Sequence, residues 1–445
     1  MDVKRGNYVP ATAVLVLRRH ETNCSRLLIV QLRYNFRLDP SPGQVRDLAR
    51  AFGCARVVYN DALALRRKLH QAGEHYIPDA ELQRRIITEG KRTEERAFLA
   101  EVSSVVLVQA LGDLNTAYRN FFGSITGKRK GPKVREPRFR SRKDNRQAIR
   151  FTRNGFSLRE GGKLYLAKIG EVAVRWSRGL PSVPSSVTVV KDASGRYFAS
   201  FVVVTNPDED LERLPLPGEI AETGIDLGLT HFAVLSDGTK VASPKFLRRA
   251  ERKLKRLQQD LSRKQRGSNN RKKAALKVAR AHAKVADSRR DFHHKLSTRI
   301  IAENQGVYVE DLAVSGLGRT RLAKSVHDAG WSAFVSMLEY KAARYGRGFA
   351  KVDRFAPTSQ VCSACGVSDG KKPLSVREWT CQGCGAVHDR DVNAARNVLT
   401  LGKQAVAAGR AETLNACGAQ VRPGLVPAQR DEAGTRRSEH AGATR

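Results

Sequence analysis

Three acidic residues stand in short strand-like or helix-initiating runs, and two pairs of cysteines precede the last of them. Asp226 lies in Thr223-Gly-Ile-Asp-Leu-Gly-Leu229, Glu310 in Gly306-Val-Tyr-Val-Glu-Asp-Leu312 and Asp391 in His388-Asp-Arg-Asp-Val-Asn-Ala-Ala-Arg396. A carboxylate inside an apolar, strand-forming run is costly to bury unless something positive neutralises it. Divalent metal ions do that, and a few carboxylates sharing such ions are a common device for cutting phosphodiesters. A fold that uses these acids must therefore bring separate segments of the chain to one place.

The charge balance agrees. Eighty Lys and Arg stand against 44 Asp and Glu in 445 residues, a formal net charge of +36. So large an excess calls for a polyanionic partner, because neutralising phosphate supplies most nucleic-acid affinity. A membrane surface is the other polyanion, but no stretch approaches the ~20 apolar residues of a spanning helix. The run Ala13–Leu17 is too short for a secretion signal. The expected location is cytoplasmic, and for a bacterial chain nucleoid-associated, with no membrane partner. Four of the seven cysteines form CxxC pairs and Cys24, Cys54 and Cys417 are scattered, which is not a secreted disulfide framework.

The pairs Cys362/Cys365 and Cys381/Cys384 are separated by fifteen residues. Two short knuckles joined by a loop of that length suit one tetrahedral four-thiolate zinc, which is structural because no coordination position stays open. Gly366 and Gly385, each directly after the second cysteine of its pair, let backbone amides turn toward sulfur. Gly224 and Gly228 flank Asp226 and are expected to admit a metal or phosphate closely. Glu310 ends a strand, and its neighbour Asp311 points to the other face by the two-residue period, better placed to cap the next loop. Asp389 and Asp391 compete in the last motif, with Asp391 fixed at a helix start. Asn393 is expected to orient the site rather than ligate.

Element signals divide the chain. Leu27 to Leu38 reads as a strand. Ser41-Pro42 starts a helix, and Val105 to Phe122 carries a helical apolar stripe. Lys128–Arg150 holds eleven basic residues against two acids, with Phe139 interleaved and Pro132 and Pro137 breaking any helix. Strand runs follow at Val172–Trp176, Ser186–Lys191 and Arg196–Val204, and residues 206–218 read as a linker. Lys245–Arg299 carries twenty basic residues against four acids and is expected to form two antiparallel helices broken at residues 266–270. Strands at Gly306–Leu312 and Phe349–Phe355 and helices at Trp331–Tyr345 and Asp391–Leu401 complete an α/β second half. Charge of one sign over such spans is not a salt-bridged helix surface, which would mix signs.

In order, Gly224-Ile-Asp-Leu-Gly-Leu229, Tyr308-Val-Glu-Asp-Leu312, the two Cys-x-x-Cys pairs and Asp389-Arg-Asp-Val-Asn-Ala-Ala395 resemble the TnpB family, transposon-encoded RNA-guided DNA nucleases. Phe52-Gly-Cys-Ala-Arg-Val-Val-Tyr-Asn60, Ala117-Tyr-Arg-Asn-Phe-Phe122, Pro137-Arg-Phe-Arg140, Ser262-Arg-Lys-Gln-Arg-Gly-Ser268 and Asn415-Ala-Cys-Gly418 extend the likeness. The resemblance implies an α+β multidomain fold. A helical recognition lobe would span residues 41–127, and a wedge β-barrel 25–40 with 128–215. An RNase H-like RuvC nuclease domain would take 216–355 and 388–415, with a zinc ribbon inserted at 356–387. Residues 1–24 would be an extension, and 416–445 a disordered basic tail.

The resemblance also implies a metal-dependent DNA endonuclease in which Asp226, Glu310 and Asp391 hold two Mg²⁺ and Cys362, Cys365, Cys381 and Cys384 hold one Zn²⁺. Its partners would be a guide RNA (ωRNA) and target double-stranded DNA beside a short transposon-adjacent motif, the protein being monomeric with its RNA. Candidate nucleic-acid contacts are Lys128, Arg129, Lys130, Arg138, Arg140, Arg142 and Lys143, with Arg263, Lys264 and Arg266 in the second basic span. The rival readings are a compact type V CRISPR effector, an RNA-guided repressor that binds without cutting, and a transposase acting unaided.

Overall fold

The computed structural model describes residues 17–18, 29–144, 146–205, 221–373 and 375–414. The expected extension (but for Leu17–Arg18), the linker and the tail lie outside the described residues, as do Cys24 and Cys417. The chain divides into two compact units, residues 1–213 with 246–292, and 214–245 with 293–445.

The first unit joins an antiparallel sheet to helices. Its strands are β1 (Leu17–Arg18), β2 (Ile29–Asp39), β3 (Gln147–Thr152), β4 (Phe156–Leu158), β5 (Leu164–Leu166), β6 (Gly170–Arg175), β7 (Ser186–Lys191) and β8 (Tyr197–Thr205). Their order is β3-β7-β8-β2-β6-β5-β4, with β1 on β2. Strand β2 is central because it is long enough to pair along nine positions with β8 and then, at Arg37–Asp39, with β6. Alternation puts Leu32, Tyr34, Phe36 and Leu38 into the core.

Helix α1 (Pro42–Gln71) follows at once. Ser41 caps it: the Gln44 amide donates to Ser41 Oγ (3.3 Å) and the Ser41 amide to Gln44 Oε1 (2.9 Å), a reciprocal capping box, with Pro42 in the first turn. After the short α2 (Asp79–Gln83) come irregular turns of π and 3₁₀ helix through Glu101, then α3 (Ser104–Ile125). The buried stripes of α1 and α3, Leu48, Phe52, Val58 and Leu63 against Leu107, Leu111 and Leu114, share one core with the sheet. Two basic helices follow, α4 (Phe246–Ser262) and α5 (Asn269–Glu303), separated where Gly267 interrupts the pattern. Arg271 secures that break by donating to the carbonyls of Leu261 (2.8 Å) and Lys264 (3.0 Å) at the end of α4.

The second unit has a five-stranded sheet of β9 (Glu222–Asp226), β10 (His231–Leu235), β11 (Lys240–Ala242), β12 (Gly306–Glu310) and β13 (Gly348–Val352), ordered β11-β10-β9-β12-β13. Strand β10 runs antiparallel to β9 and β11, and β12 parallel to β9 and β13. Helices α6 (Val314–Leu317), α7 (Ala323–Ala329) and α8 (Trp331–Arg344) connect β12 to β13. A two-stranded hairpin, β14 (Glu378–Thr380) and β15 (Val387–Asp389), leads into α9 (Arg390–Leu414), which packs along β9, β12, β13 and β10. Phe232 of β10 meets Phe334 of α8 edge-on at 5.0 Å, and His293 stacks on Phe232 at 5.4 Å. His293 Nε2 bonds the Ala329 carbonyl at 2.9 Å. Among the described residues no single helix is long and apolar enough to cross a membrane.

Candidate active site and metal centre

Strand β9 buries Thr223, Gly224 and Ile225 and ends on Asp226; strand β12 buries Gly306 to Val309 and ends on Glu310. The parallel register sets Val309 beside Ile225, so the next residue of each strand is an acid at the same edge of the sheet. Asp391 lies in the first turn of α9, the helix that covers β9 and β12. The three are felt at Asp226. Burial, then the charges of Glu310 and Asp391, push its carboxyl up to about 7 against the opposing pull of Arg390. Asp226 is surrounded by protein yet keeps an opening to solvent. Burial, then Asp311, also raises Glu310. Two acids held above their usual range at one strand edge make a site where a cation relieves repulsion and desolvation together.

The competing carboxylates are otherwise engaged. Asp389 Oδ1 accepts the amides of Asp391 (3.1 Å) and Val392 (3.0 Å), capping α9, while Lys240 Nζ reaches its other oxygen at 2.6 Å. Burial works against ionisation of Asp389, but Lys240 and the backbone amides outweigh it and hold its pKa below the ordinary value. Asp311 is paired with Arg354, and no hydrogen bond from it to the following loop is found among the described residues. Asp391 is approached by Arg377 at 3.5 Å. Neither Arg377 nor Lys240 carried a motif signal. Lys240 lies on a three-residue strand far away in sequence, and only the fold brings it to Asp389.

Gly224 and Gly228 correct an expectation. A Cβ on Gly224 would lie 2.1 Å from the Ala395 carbonyl oxygen and 2.4 Å from the Leu399 amide, so the glycine admits the backbone of α9 rather than a metal or phosphate. At Gly228 the near neighbour is again backbone, the His231 carbonyl at 3.0 Å. Gly402 on α9 has the same role from the other side, because a Cβ there would enter the Tyr308 ring.

The four cysteines meet. Their sulfurs lie within 4.8 Å of one another, with Cys362–Cys384 at 3.7 Å and Cys365–Cys381 at 3.6 Å. A tetrahedron of sulfurs at the ~2.3 Å zinc–thiolate bond length has edges of roughly 3.8 Å. The cluster is thus consistent with a structural zinc. Among the described residues it is the one set of potential ligands so tightly grouped; the three carboxylates are not.

Both knuckles repeat one backbone pattern. Gly366 and Gly385 adopt positive φ (77° and 70°) and donate to the Cys362 and Cys381 carbonyls at 2.9 Å. Burial opposes ionisation of Cys362, but the amides of Cys365 and Ala364 and the ring of His388, whose Nε2 lies 3.0 Å from the sulfur, draw the thiol down to about 6. Buried Asn393 on α9 ties this loop down. Its Oδ1 accepts the Ser363 amide (2.8 Å) and its Nδ2 donates to the Val361 carbonyl (2.8 Å), so it orients the cluster from outside the ligand set.

The basic candidates separate into two kinds. Lys128, Arg129, Lys130, Arg138, Arg142 and Lys143 are exposed, as are Arg263 and Arg266, while Lys264 pairs with Asp260. Arg140 is committed inside its unit. It lies 3.9 Å from the Tyr59 ring centroid and bonds Asp113 at 3.0 Å, and Asn60 clamps its backbone through both N–H and C=O. Residues 137–140 are thereby lashed to α1, with Arg67 donating to the Pro137 carbonyl at 2.9 Å.

Comparison with known proteins places this arrangement. Residues 201–321 match a family described as "Probable transposase", 331–398 a "Cas12f1-like, TNB domain" and 30–75 a "Helix-turn-helix domain". The last stretch folds here as β2 and the single unbroken helix α1. Several relatives carry the name "Putative RNA-guided DNA endonuclease". The one from Streptomyces pristinaespiralis is 45% identical over 92% of this chain and 95% of its own length, and InsQ of Escherichia coli 32% identical over 84% and 93%. A "TnpB-like protein L79" of Acanthamoeba polyphaga mimivirus is 23% identical over 51% and 45%. The fold is similar to that in a "Cryo-EM structure of the Cas12f1-sgRNA-target DNA complex", with a TM-score of 0.50 over 80% of this chain and 82% of that one at 12% identity. The chain belongs to the TnpB family.

Proposed function

We propose that this chain is an RNA-guided DNA endonuclease that cuts double-stranded DNA beside a short transposon-adjacent motif, with Asp226, Glu310 and Asp391 as its acidic centre. The observation that carries the reading is the register of β9 and β12, which pairs Val309 with Ile225 and so ends both strands on an acid at one sheet edge, under the helix whose first turn holds Asp391. The sheet order β11-β10-β9-β12-β13, with its second strand antiparallel, supports an RNase H-like reading of this unit. On this reading residues 216–355 and 388–415 form the RuvC domain and 356–387 its zinc ribbon. Residues 41–127 form a recognition lobe, and 25–40 with 128–215 the wedge. The names of the two relatives above 30% identity support the activity.

The donor set suits Mg²⁺, which takes hard carboxylate oxygens and keeps several waters. Two such ions, when bound, supply Lewis-acid activation of water and of the leaving 3′ oxygen. The chain's own residues do the placing. Asp389, held by Lys240, fixes the first turn of α9 and with it Asp391. Asn393 couples that turn to the cysteine cluster. The guide pairs with the target strand, and the protein reads backbone, shape and the adjacent motif. A non-cleaving repressor would have no need of three acids in these positions.

The test uses protein purified with its copurifying RNA, sequenced to define the target. Asp226→Ala should abolish cutting of both strands and leave RNA and target binding within about twofold, since it removes a metal ligand and no basic contact. Continued nicking of either strand would overturn the single-site reading.

A further inference from the structure

A recess lies in the first unit. It is a shallow, open recess of about 580 Å³, lined by Tyr76, Asp79, Asn115, Tyr118, Arg119 and Phe122. Its walls are aromatic. Tyr118 and Phe122, one turn apart on α3, hold their rings within 21° of parallel at 5.8 Å. Tyr76 comes from the loop after α1, and the Arg66 guanidinium lies under both tyrosines, 4.6 Å from the Tyr76 ring and 5.4 Å from that of Tyr118. Asp79 fixes Arg66 at 2.9 Å, so the floor is rigid. Yet the walls are left open to water: Tyr76 is 58% exposed and Phe122 50%. Large aromatic side chains left this exposed beside polar groups suit a stacking ligand.

Its polar groups narrow the ligand. Asn115 Oδ1 is buried with no hydrogen-bond partner among the described residues, and exposed Arg119 has no ion pair there. A carboxamide and a guanidinium beside parallel rings match a nucleobase, which offers a π-face to the rings and a hydrogen-bonding edge to the amide. The basic segment begins against the same helix end. The Arg129 amide donates to the Gly123 carbonyl and the Val134 amide to Ser124 Oγ, each at 2.9 Å, so Lys128, Arg129 and Lys130 follow directly on Phe122. A phosphate backbone gripped there would bring a neighbouring base within reach of the rings.

We propose that the Tyr76–Tyr118–Phe122 recess holds one unpaired base of the guide RNA, splayed from its strand and stacked on Phe122, with its edge facing Asn115. This rests on the RNA-guided reading above. Chemical probing of the copurified RNA with base-modifying reagents tests it, in the full-length protein before any target DNA is added. Phe122→Ala should make one unpaired nucleotide reactive that the wild-type complex protects, and Tyr76→Ala should expose the same nucleotide. Ile125→Ala, a neighbouring exposed apolar residue outside the recess, should change nothing. RNA retention by Phe122→Ala should fall roughly 5- to 150-fold, the range for losing one base–aromatic stack. Identical reactivity profiles in wild type and Phe122→Ala would overturn the proposal while leaving the activity intact. A protected base found only on added target DNA would overturn the assignment to RNA. A wild-type protein that carries no RNA would instead sink the RNA-guided reading itself.

Discussion

At the scale of single residues, Asp226 sets the terms of the site. An acid whose folded pKa is about 7, against about 3.9 in an unfolded chain, binds more protons folded than unfolded between those values. Stability therefore falls as pH rises from about 4 through 7. Asp226→Asn removes that burden. In Mg²⁺-free buffer the variant should be more stable than wild type above pH 7 by roughly 1–3 kcal/mol, less than the full shift implies because the site keeps an opening to solvent. The difference should vanish near pH 4. Added Mg²⁺ should raise the wild-type unfolding midpoint at pH 8 and leave the variant's where it was. Urea titrations at pH 4, 6 and 8 check this, and equal stabilities at pH 8 without Mg²⁺ would falsify it. The sequence made Asp226, Glu310 and the cysteines visible because each interrupts a simple local pattern. It left Lys240 and Arg377 invisible, since their roles exist only through contacts with Asp389 and Asp391 that no spacing encodes.

At the scale of elements, the site depends on how closely α9 lies on its sheet. Gly224 and Gly402 let helix backbone and strand approach, and a methyl group at Gly224 would sit inside the bonding envelope of the Ala395 carbonyl. Gly224→Ala should cost on the order of 3 kcal/mol, at the upper end for overpacked positions, and should lower cleavage further by displacing Asp391. A denaturation midpoint unchanged from wild type would show that α9 is free to shift. The cysteine cluster fixes the same helix from its other side through Asn393. Cys381→Ser should lower bound zinc below one per chain by metal analysis and increase amide exchange in residues 358–363, because zinc binding is local folding energy. Full zinc content in that variant would exclude Cys381 as a ligand. Long periodic elements were legible in the sequence: α1 from its cap, α3 from its stripe, β9 and β12 from apolar runs ending in an acid. The π and 3₁₀ turns at Arg84–Glu101, the three-residue β11 and the full length of α9 were not, because short irregular turns lack a period and the largely exposed stretch 403–408 of α9 carries no apolar stripe to mark it.

At the scale of the whole molecule, charge decides how it meets its partners. A net +36 gives affinity for any phosphate backbone, so the useful question is which cations touch it and which hold the protein together. Arg140 belongs to the second group: with Asp113 and the Tyr59 ring it closes the 137–140 segment onto α1. The block at Phe52–Asn60 and the block at Pro137–Arg140, read separately in the sequence, are two halves of that one contact. Removing Arg140 would disturb folding and binding together and report on neither. Arg138, Arg142 and Lys143 are exposed and stand on the same stretch, so they isolate the electrostatic contribution. Replacing these three with alanine should leave the thermal midpoint within about 2 °C and weaken guide RNA binding. The slope of log affinity against log salt should flatten by up to roughly 2 units, about 0.7 for each single-strand phosphate that is no longer neutralised. The sequence cut next to the adjacent motif should stay the same, because backbone contacts position the protein without reading bases. Anisotropy titrations across a salt series, with cleavage mapping of the same variant, separate the outcomes. An unchanged slope would move the RNA footprint to the other basic span around Arg263 and Arg266, and a changed motif would make this stretch a reader of bases.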